Sequence, residues 1–149
     1  MVRRFQELAP VFERSAAVVA AWVFGSVARG DARPDSDIDV AVLLRQRNAT
    51  VVTHRRELFE LATQVECAVG RRVDLVVLTL RDSIIAHRVL SEGVLVFDRD
   101  PDRRQDFAVA AVSRYFDWAP KYASAAARGL EVNRTWAREN LEESDGHRG

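Results

Sequence analysis

Val23-Phe24-Gly25-Ser26-Val27-Ala28-Arg29-Gly30 is followed, after a polar loop, by Ser36-Asp37-Ile38-Asp39-Val40. Val18–Phe24 is rich in valine and aromatic residues and stops at Gly25, the pattern of a buried strand. Ser26–Gly30 leaves room for only a short helical turn before the loop Asp31–Ser36, which contains Pro34. Asp37–Leu44 then reads as a second strand. Residues two apart on a strand share a face, ~6–7 Å apart along it. Asp37 and Asp39 therefore aim both carboxylates at one spot while Ile38, Val40 and Val42 point into a core.

Two carboxylates held this close repel each other, and a cation between them removes the cost. Their oxygens suit Mg²⁺, which commonly takes one or two carboxylates and completes its shell with phosphates and water. An isolated Asp-x-Asp is also compatible with a solvated turn or a helix cap. Asp35, Asp37 and Asp39 imitate the opening of a calcium-binding EF-hand loop, but Val40 stands where that loop needs glycine and Gln46 where it needs a bidentate glutamate. On the other half of the stretch, Gly25-Ser26 falls where a strand gives way to a helical turn. Backbone N–H groups and the Ser26 hydroxyl could meet phosphate oxygens there, with Arg29 one turn further on. Taken alone, Gly-Ser equally fits a plain strand-to-helix turn.

Working outward, residues 3–15 place Phe5, Leu8, Val11 and Phe12 on one helical face, with Pro10 as a point of kinking. Residues 50–69 carry Val51, Leu58, Leu61, Ala62 and Val65 at helical spacing and end at Gly70. Arg72–Leu78 reads as a third strand on which Asp74 faces away from Val73, Leu75 and Val77. By itself Asp74 also fits an exposed edge acid paired to Arg71 or Arg72. A short helix from Asp82 to about Leu90, a Glu92-Gly93 turn and a strand Val94–Phe97 follow. A long helix is expected from Pro101 to about Leu130, kinked at Pro120. The fold class is α/β (α+β), a small mixed sheet of about four strands packed with helices and extended by a C-terminal helical segment. Residues 1–100 form the expected core, 101–141 a helical extension of the same domain, and 142–149 a flexible tail.

Composition narrows the partners. The 149 residues include 22 basic and 22 acidic side chains, so the net charge is zero. Sequence-blind nucleic-acid binding needs many uncompensated cations and is not expected. Lys121 is the lone lysine, so phosphate contacts fall to arginine or to backbone N–H groups, and there is no P-loop GK[ST]. Cys67 has no disulfide partner, and His54, His87 and His147 lack zinc-ligand spacing. The longest apolar run, Ala16–Phe24, is far short of the ~20 residues that span a bilayer. It has the look of a signal-peptide core after Arg3 and Arg4, but Glu7, Glu13 and Arg14 interrupt the approach, and cleavage would destroy the Gly-Ser turn. The expectation is a cytoplasmic chain with no membrane partner.

Ten residues separate Gly25-Ser26 from Asp37-x-Asp39. This spacing, with V-F-G-S-V-A-R-G and S-D-I-D-V around it, resembles the nucleotidyltransferase superfamily that includes DNA polymerase β. The likeness covers roughly residues 5–100. The small size resembles the minimal nucleotidyltransferase (MNT) members, antitoxins paired with HEPN-domain toxins. The family implies a third carboxylate on a later strand, and Asp74 matches that place. It further implies transfer of a nucleoside monophosphate from an NTP, usually ATP, to a hydroxyl with release of pyrophosphate. Asp37, Asp39 and Asp74 would be the catalytic and metal-holding residues for two Mg²⁺ ions, and Gly25, Ser26 and Arg29 the nucleotide-binding ones.

For the MNT antitoxins the implied acceptor is a tyrosine of the cognate HEPN ribonuclease toxin, where added AMP would place negative charge beside an RNA-cutting site. Two other readings stay open: an antitoxin that neutralises by binding alone, and a small-molecule transferase of the aminoglycoside-modifying kind. Retention of Gly25, Ser26, Asp37, Asp39 and Asp74 favours the enzyme over the binder. Phe107, Ala111, Tyr115, Trp118 and Tyr122 recur at helical spacing, with Phe116 and Trp136 nearby. That stripe fits either core packing or a partner-docking face.

Overall fold

The computed structural model describes residues 2–121. A 3₁₀ segment Val2–Leu8 leads into α1 (Ala9–Glu13), followed by β1 (Val18–Phe24), α2 (Gly25–Arg29), β2 (Ile38–Leu44), α3 (Arg55–Val69), β3 (Val73–Val77), α4 (Ser83–Glu92) and β4 (Val94–Asp98). A helix α5 runs over 101–121. The expected continuation of α5 towards Leu130, the aromatic residues Tyr122 and Trp136, and the tail 142–149 lie outside the described residues. The chain divides into two compact units, Met1–Arg114 and Tyr115–Gly149.

The sheet of the first unit has the order β3-β2-β1-β4. β1 is antiparallel to both of its neighbours, whereas β2 and β3 run parallel. The near-continuous apolar runs of β1 and β2 follow from cover on both faces. On one face Phe5, Leu8, Val11 and Phe12 from the N-terminal helices join Leu58, Leu61 and Val65 of α3 over Val23, Val40 and Val42. On the other, Ala86 and Val89 of α4 and Phe107 and Ala111 of α5 pack on Trp22, Phe24, Ala41 and Leu43. Each such large side chain contributes ~1.5–3 kcal/mol on leaving water. For Phe107 and Ala111, core packing is thus the right reading of the stripe. In the second unit Tyr115 and Phe116 meet edge-on at 5.6 Å, and the Lys121 ammonium sits 4.2 Å above the Trp118 ring.

Two expected helices are corrected. The break in residues 3–15 falls at Phe5, whose backbone is non-helical, rather than at Pro10. Pro10 lies in the first turn of α1, where its missing N–H costs nothing. Helix α3 begins at Arg55, not near residue 50, because Thr50 and Thr53 hydrogen-bond each other's backbone across a turn. Val51 is consequently 54% exposed instead of facing the core.

Candidate active site

β1 ends at Phe24 in extended backbone, and the chain then enters the left-handed region at Gly25, with φ +70°. A side chain there would be strained by conformation alone. It would also be excluded by contact, since a Cβ on Gly25 would lie 2.1 Å from Oδ2 of Asp39. Register explains this approach: Asp39 is the partner of Phe24 across the β1–β2 ladder. Ser26 stands next, in the first turn of α2, and its carbonyl accepts from Gly30 N–H at 3.0 Å and Asp31 N–H at 3.1 Å. Gly25 and Ser26 are therefore fixed to the end of the central strand.

The three acids come together as the register of β2 and β3 dictates. Asp39 and Asp74 are paired positions on the two parallel strands. Alternation places Asp39 on the same face as Ala41 and Leu43, and Asp74 on the same face as Val76, the face that α4 and α5 cover further along. Asp37 stands one residue before β2, at the end of the loop. Asp37 and Asp74 are exposed and Asp39 is half-buried. Burial, then the carboxylate of Asp74, and more weakly that of Asp37, raise the Asp39 pKa above the ordinary carboxylate value, against the pull of Arg88 and Arg29. The site thus carries more negative charge than its own cations offset.

The loop is held by Arg71, which the sequence offers only as a partner for Asp74. The Arg71 guanidinium donates to the carbonyl of Ser36 and, at 3.2 Å, to that of Arg33. Ile38 N–H bonds the Arg72 carbonyl at 2.9 Å, and within the loop Arg33 N–H bonds the Ser36 hydroxyl at 2.9 Å. Arg71 is therefore spent on the loop and forms no ion pair with Asp74, which removes the edge-acid alternative for that partner. Arg29 is ion-paired to Asp31 at 3.3 Å and to Glu92 at 3.5 Å, and Glu92 in turn reaches Arg88 at 3.7 Å. Arg88 and Glu92 were not foreseen, because nothing local to α4 indicates that its C-terminal half packs beside Asp39.

The acids present carboxylate oxygens, a donor set for a hard cation such as Mg²⁺. Among the described residues no group of three or more His, Cys, Asp and Glu side chains is arranged to hold a metal by itself. The pair Asp37 and Asp39 is a partial shell of the sort that Mg²⁺ completes with substrate phosphates and water. A cleft of about 770 Å³ lies at the opposite end of β1 and β2, lined by Arg14, Arg45, His54, Glu57 and Glu60 among others, away from these acids. No helix among the described residues is long and apolar enough to cross a membrane.

A turn of Gly and Ser at the end of one strand thus stands beside paired acids on the next two. Residues 6–102 match the family described as Polymerase beta, Nucleotidyltransferase, and the chain belongs to that family. It is 39% identical over 74 residues to the protein adenylyltransferase MntA of Thermococcus cleftensis, a match covering 50% of this chain and 70% of that protein. Among solved structures, a toxin–antitoxin crystal structure with AMP-PNP superposes with TM-score 0.64 at 22% identity, covering 87% of this chain and 98% of its own. A chain from the complex of the tri-AMPylated Shewanella oneidensis HEPN toxin with its MNT antitoxin gives TM-score 0.60 at 20% identity, covering 87% and 99%. At these identities the likeness establishes a shared fold.

Proposed function

We propose that this chain transfers AMP from ATP to a tyrosine hydroxyl of a partner HEPN-type toxin and so acts as its antitoxin. The observation that carries the reading is the juxtaposition of Asp39 with Asp74 beside the Gly25-Ser26 turn, in a site where Asp37 and Asp74 stay open to solvent. An open carboxylate can meet an acceptor carried on a large surface. The likeness to an adenylyltransferase MntA, and to chains from toxin–antitoxin complexes, supports a protein acceptor.

In this reading Gly25 keeps the backbone bare and the Ser26 hydroxyl donates to a phosphate oxygen. Asp37 and Asp39 are the residues that would hold Mg²⁺, with Asp74 at a second ion's position; bound there, the metal supplies charge neutralisation for the triphosphate. Asp74 accepts the proton of the incoming tyrosine hydroxyl. The tyrosine oxygen forms its bond to the α-phosphorus as the bond to the β-phosphate bridging oxygen breaks, and pyrophosphate leaves.

The test is the intact mass of the protein encoded by the neighbouring gene, after incubation with Mg-ATP and either wild type or Asp37→Ala/Asp39→Ala. An increase by one or more AMP units with wild type alone is expected. Neutralisation without any adduct, surviving in the double variant, would establish a binding antitoxin instead. An adduct on an aminoglycoside would establish a small-molecule transferase.

A further inference from the structure

Glu92 is the last residue of α4, and its carboxylate joins two guanidiniums that come from different elements. Arg29, at the end of α2, lies 3.5 Å away, and Arg88, one turn back along α4, lies 3.7 Å away. The arrangement is fixed from beneath. Ala86 and Val89 are fully buried against Trp22 and Phe24, on the face of the sheet that carries Asp39. The turn that ends the helix is equally tight, since a Cβ on Gly93 would stand 2.4 Å from the Val89 carbonyl oxygen and 3.4 Å from the Trp22 Cβ. Glu92 and Arg88 cannot drift along the sheet without losing that packing.

The charges of this corner do not balance. Asp37, Asp39, Asp74 and Glu92 are acidic, and the cations acting on Asp39 are Arg88 and Arg29. The three side chains of the Arg29–Glu92–Arg88 bridge are 42%, 44% and 52% exposed. Ion pairs so exposed are weak and readily exchanged. A triphosphate carries more charge than one carboxylate and offers forked oxygens that match a guanidinium, so it outcompetes Glu92 for both arginines.

We propose that Arg88 and Arg29 together bind the distal phosphates of the nucleotide, and that Glu92 holds the two guanidiniums until the triphosphate takes them. The inference rests on the nucleotidyl-transfer reading and adds to it a binding residue from α4 and a competing carboxylate. It accounts for an arginine on α4 within electrostatic reach of Asp39, and for the joint engagement of Arg29 and Arg88 by one carboxylate.

Calorimetric titration of the whole chain with AMP-PNP and, separately, with AMP, both with Mg²⁺, tests this without the partner. Arg88→Ala is expected to weaken AMP-PNP roughly tenfold, the usual scale for one charge-assisted contact, while leaving AMP within about twofold. Arg88→Lys recovers part of the loss. Glu92→Gln acts in the opposite direction and tightens AMP-PNP about two- to threefold, because it frees Arg88, leaves Arg29 paired to Asp31 alone and removes a repelling charge. Arg81→Ala, an exposed arginine just before α4, leaves both ligands unchanged. A change in packing would move AMP and AMP-PNP alike. Equal losses for the two nucleotides in Arg88→Ala, or unaltered AMP-PNP binding, would overturn the assignment of Arg88 while leaving the nucleotidyl-transfer reading intact. Weaker AMP-PNP binding in Glu92→Gln would overturn the competing role of Glu92. Failure of the wild-type chain to bind AMP-PNP at all would overturn the transferase reading and this one with it.

Discussion

Asp39 and Asp74 are paired positions on the parallel strands β2 and β3, so their carboxylates share one face of the sheet in register. Like charges directly opposite each other weaken a sheet. The chain tolerates here an arrangement that costs stability, a cost that a bound cation would offset.

Replacing Asp39 by Asn therefore has opposite effects on stability and on turnover. It removes a carboxylate that burial, Asp74 and Asp37 disfavour, so the metal-free chain melts at a higher temperature near neutral pH. Adenylyl transfer falls by three or more orders of magnitude, on the scale by which loss of a metal-holding acid slows phosphoryl transfer. Differential scanning calorimetry and transfer assays on the same sample check the two halves together.

The same carboxylate sets a pH dependence. Its pKa is raised in the folded chain, so the folded state retains its proton more readily than the unfolded one does. That contribution to stability is present in full below the ordinary carboxylate value and is lost as pH rises through the raised one. Metal-free unfolding free energy should carry a negative slope from Asp39 across this window. Mg²⁺-dependent nucleotide binding should rise with pH over the same interval, because the ionised form is the one that binds. Denaturant titrations at a series of pH values in chelator, compared with Asp39→Asn, isolate the slope.

Mg²⁺ alone should stabilise the chain little, because Asp37 and Asp39 furnish only part of its shell. Mg²⁺ with AMP-PNP should raise the melting temperature by several degrees, as linkage requires of a ligand well above its dissociation constant. A thermal shift as large with the metal alone would show a complete protein cage.

Gly25→Ala combines a left-handed backbone with the collision at Asp39. A loss of at least about 1–2 kcal/mol from conformation alone is expected. Transfer should fall further than folding does, because the residue that must move aside is Asp39. Chemical denaturation and single-turnover rates separate the two.

Arg71→Met keeps much of the side-chain volume and removes the donors to the Ser36 and Arg33 carbonyls. It should cost roughly 1–3 kcal/mol, the range for unmaking hydrogen bonds from a charged group. It should also raise the KM for nucleotide, because the loop that delivers Asp37 loses its anchor. Unchanged kinetics with lowered stability would confine Arg71 to the fold.

What the sequence exposes is what short range dictates. The apolar runs of β1 and β2 are long because both faces are covered, and the Gly25-Ser26 turn and Asp37-x-Asp39 belong to adjacent segments. Alternation along one strand gives the face of Asp74, while its place beside Asp39 comes only with the family resemblance. Arg71 gripping Ser36 across 35 positions, and α4 laying Arg88 next to Asp39, are products of tertiary packing that no local pattern encodes. The beginning of α3 was misread because Val51 carries helical spacing while Thr50 and Thr53 capture the backbone for a turn. Arg29 was identified by its distance from Ser26, yet its pairing with Glu92 depends on a residue 63 positions away.

The strand order β3-β2-β1-β4 gives the two halves of the site unequal mechanical support. Gly25 and Ser26 continue from β1, which is wholly buried and bonded on both sides, while Asp74 rides on β3, an edge strand paired with β2 alone among the strands and with no fully buried residue. Local opening begins at such edges. Amides of β1 should exchange with solvent far more slowly than those of β3. In the proposed reaction, the half of the site that would receive phosphates is thus a fixed anvil, and the half that would meet the acceptor hydroxyl can yield to the shape of the protein that carries it.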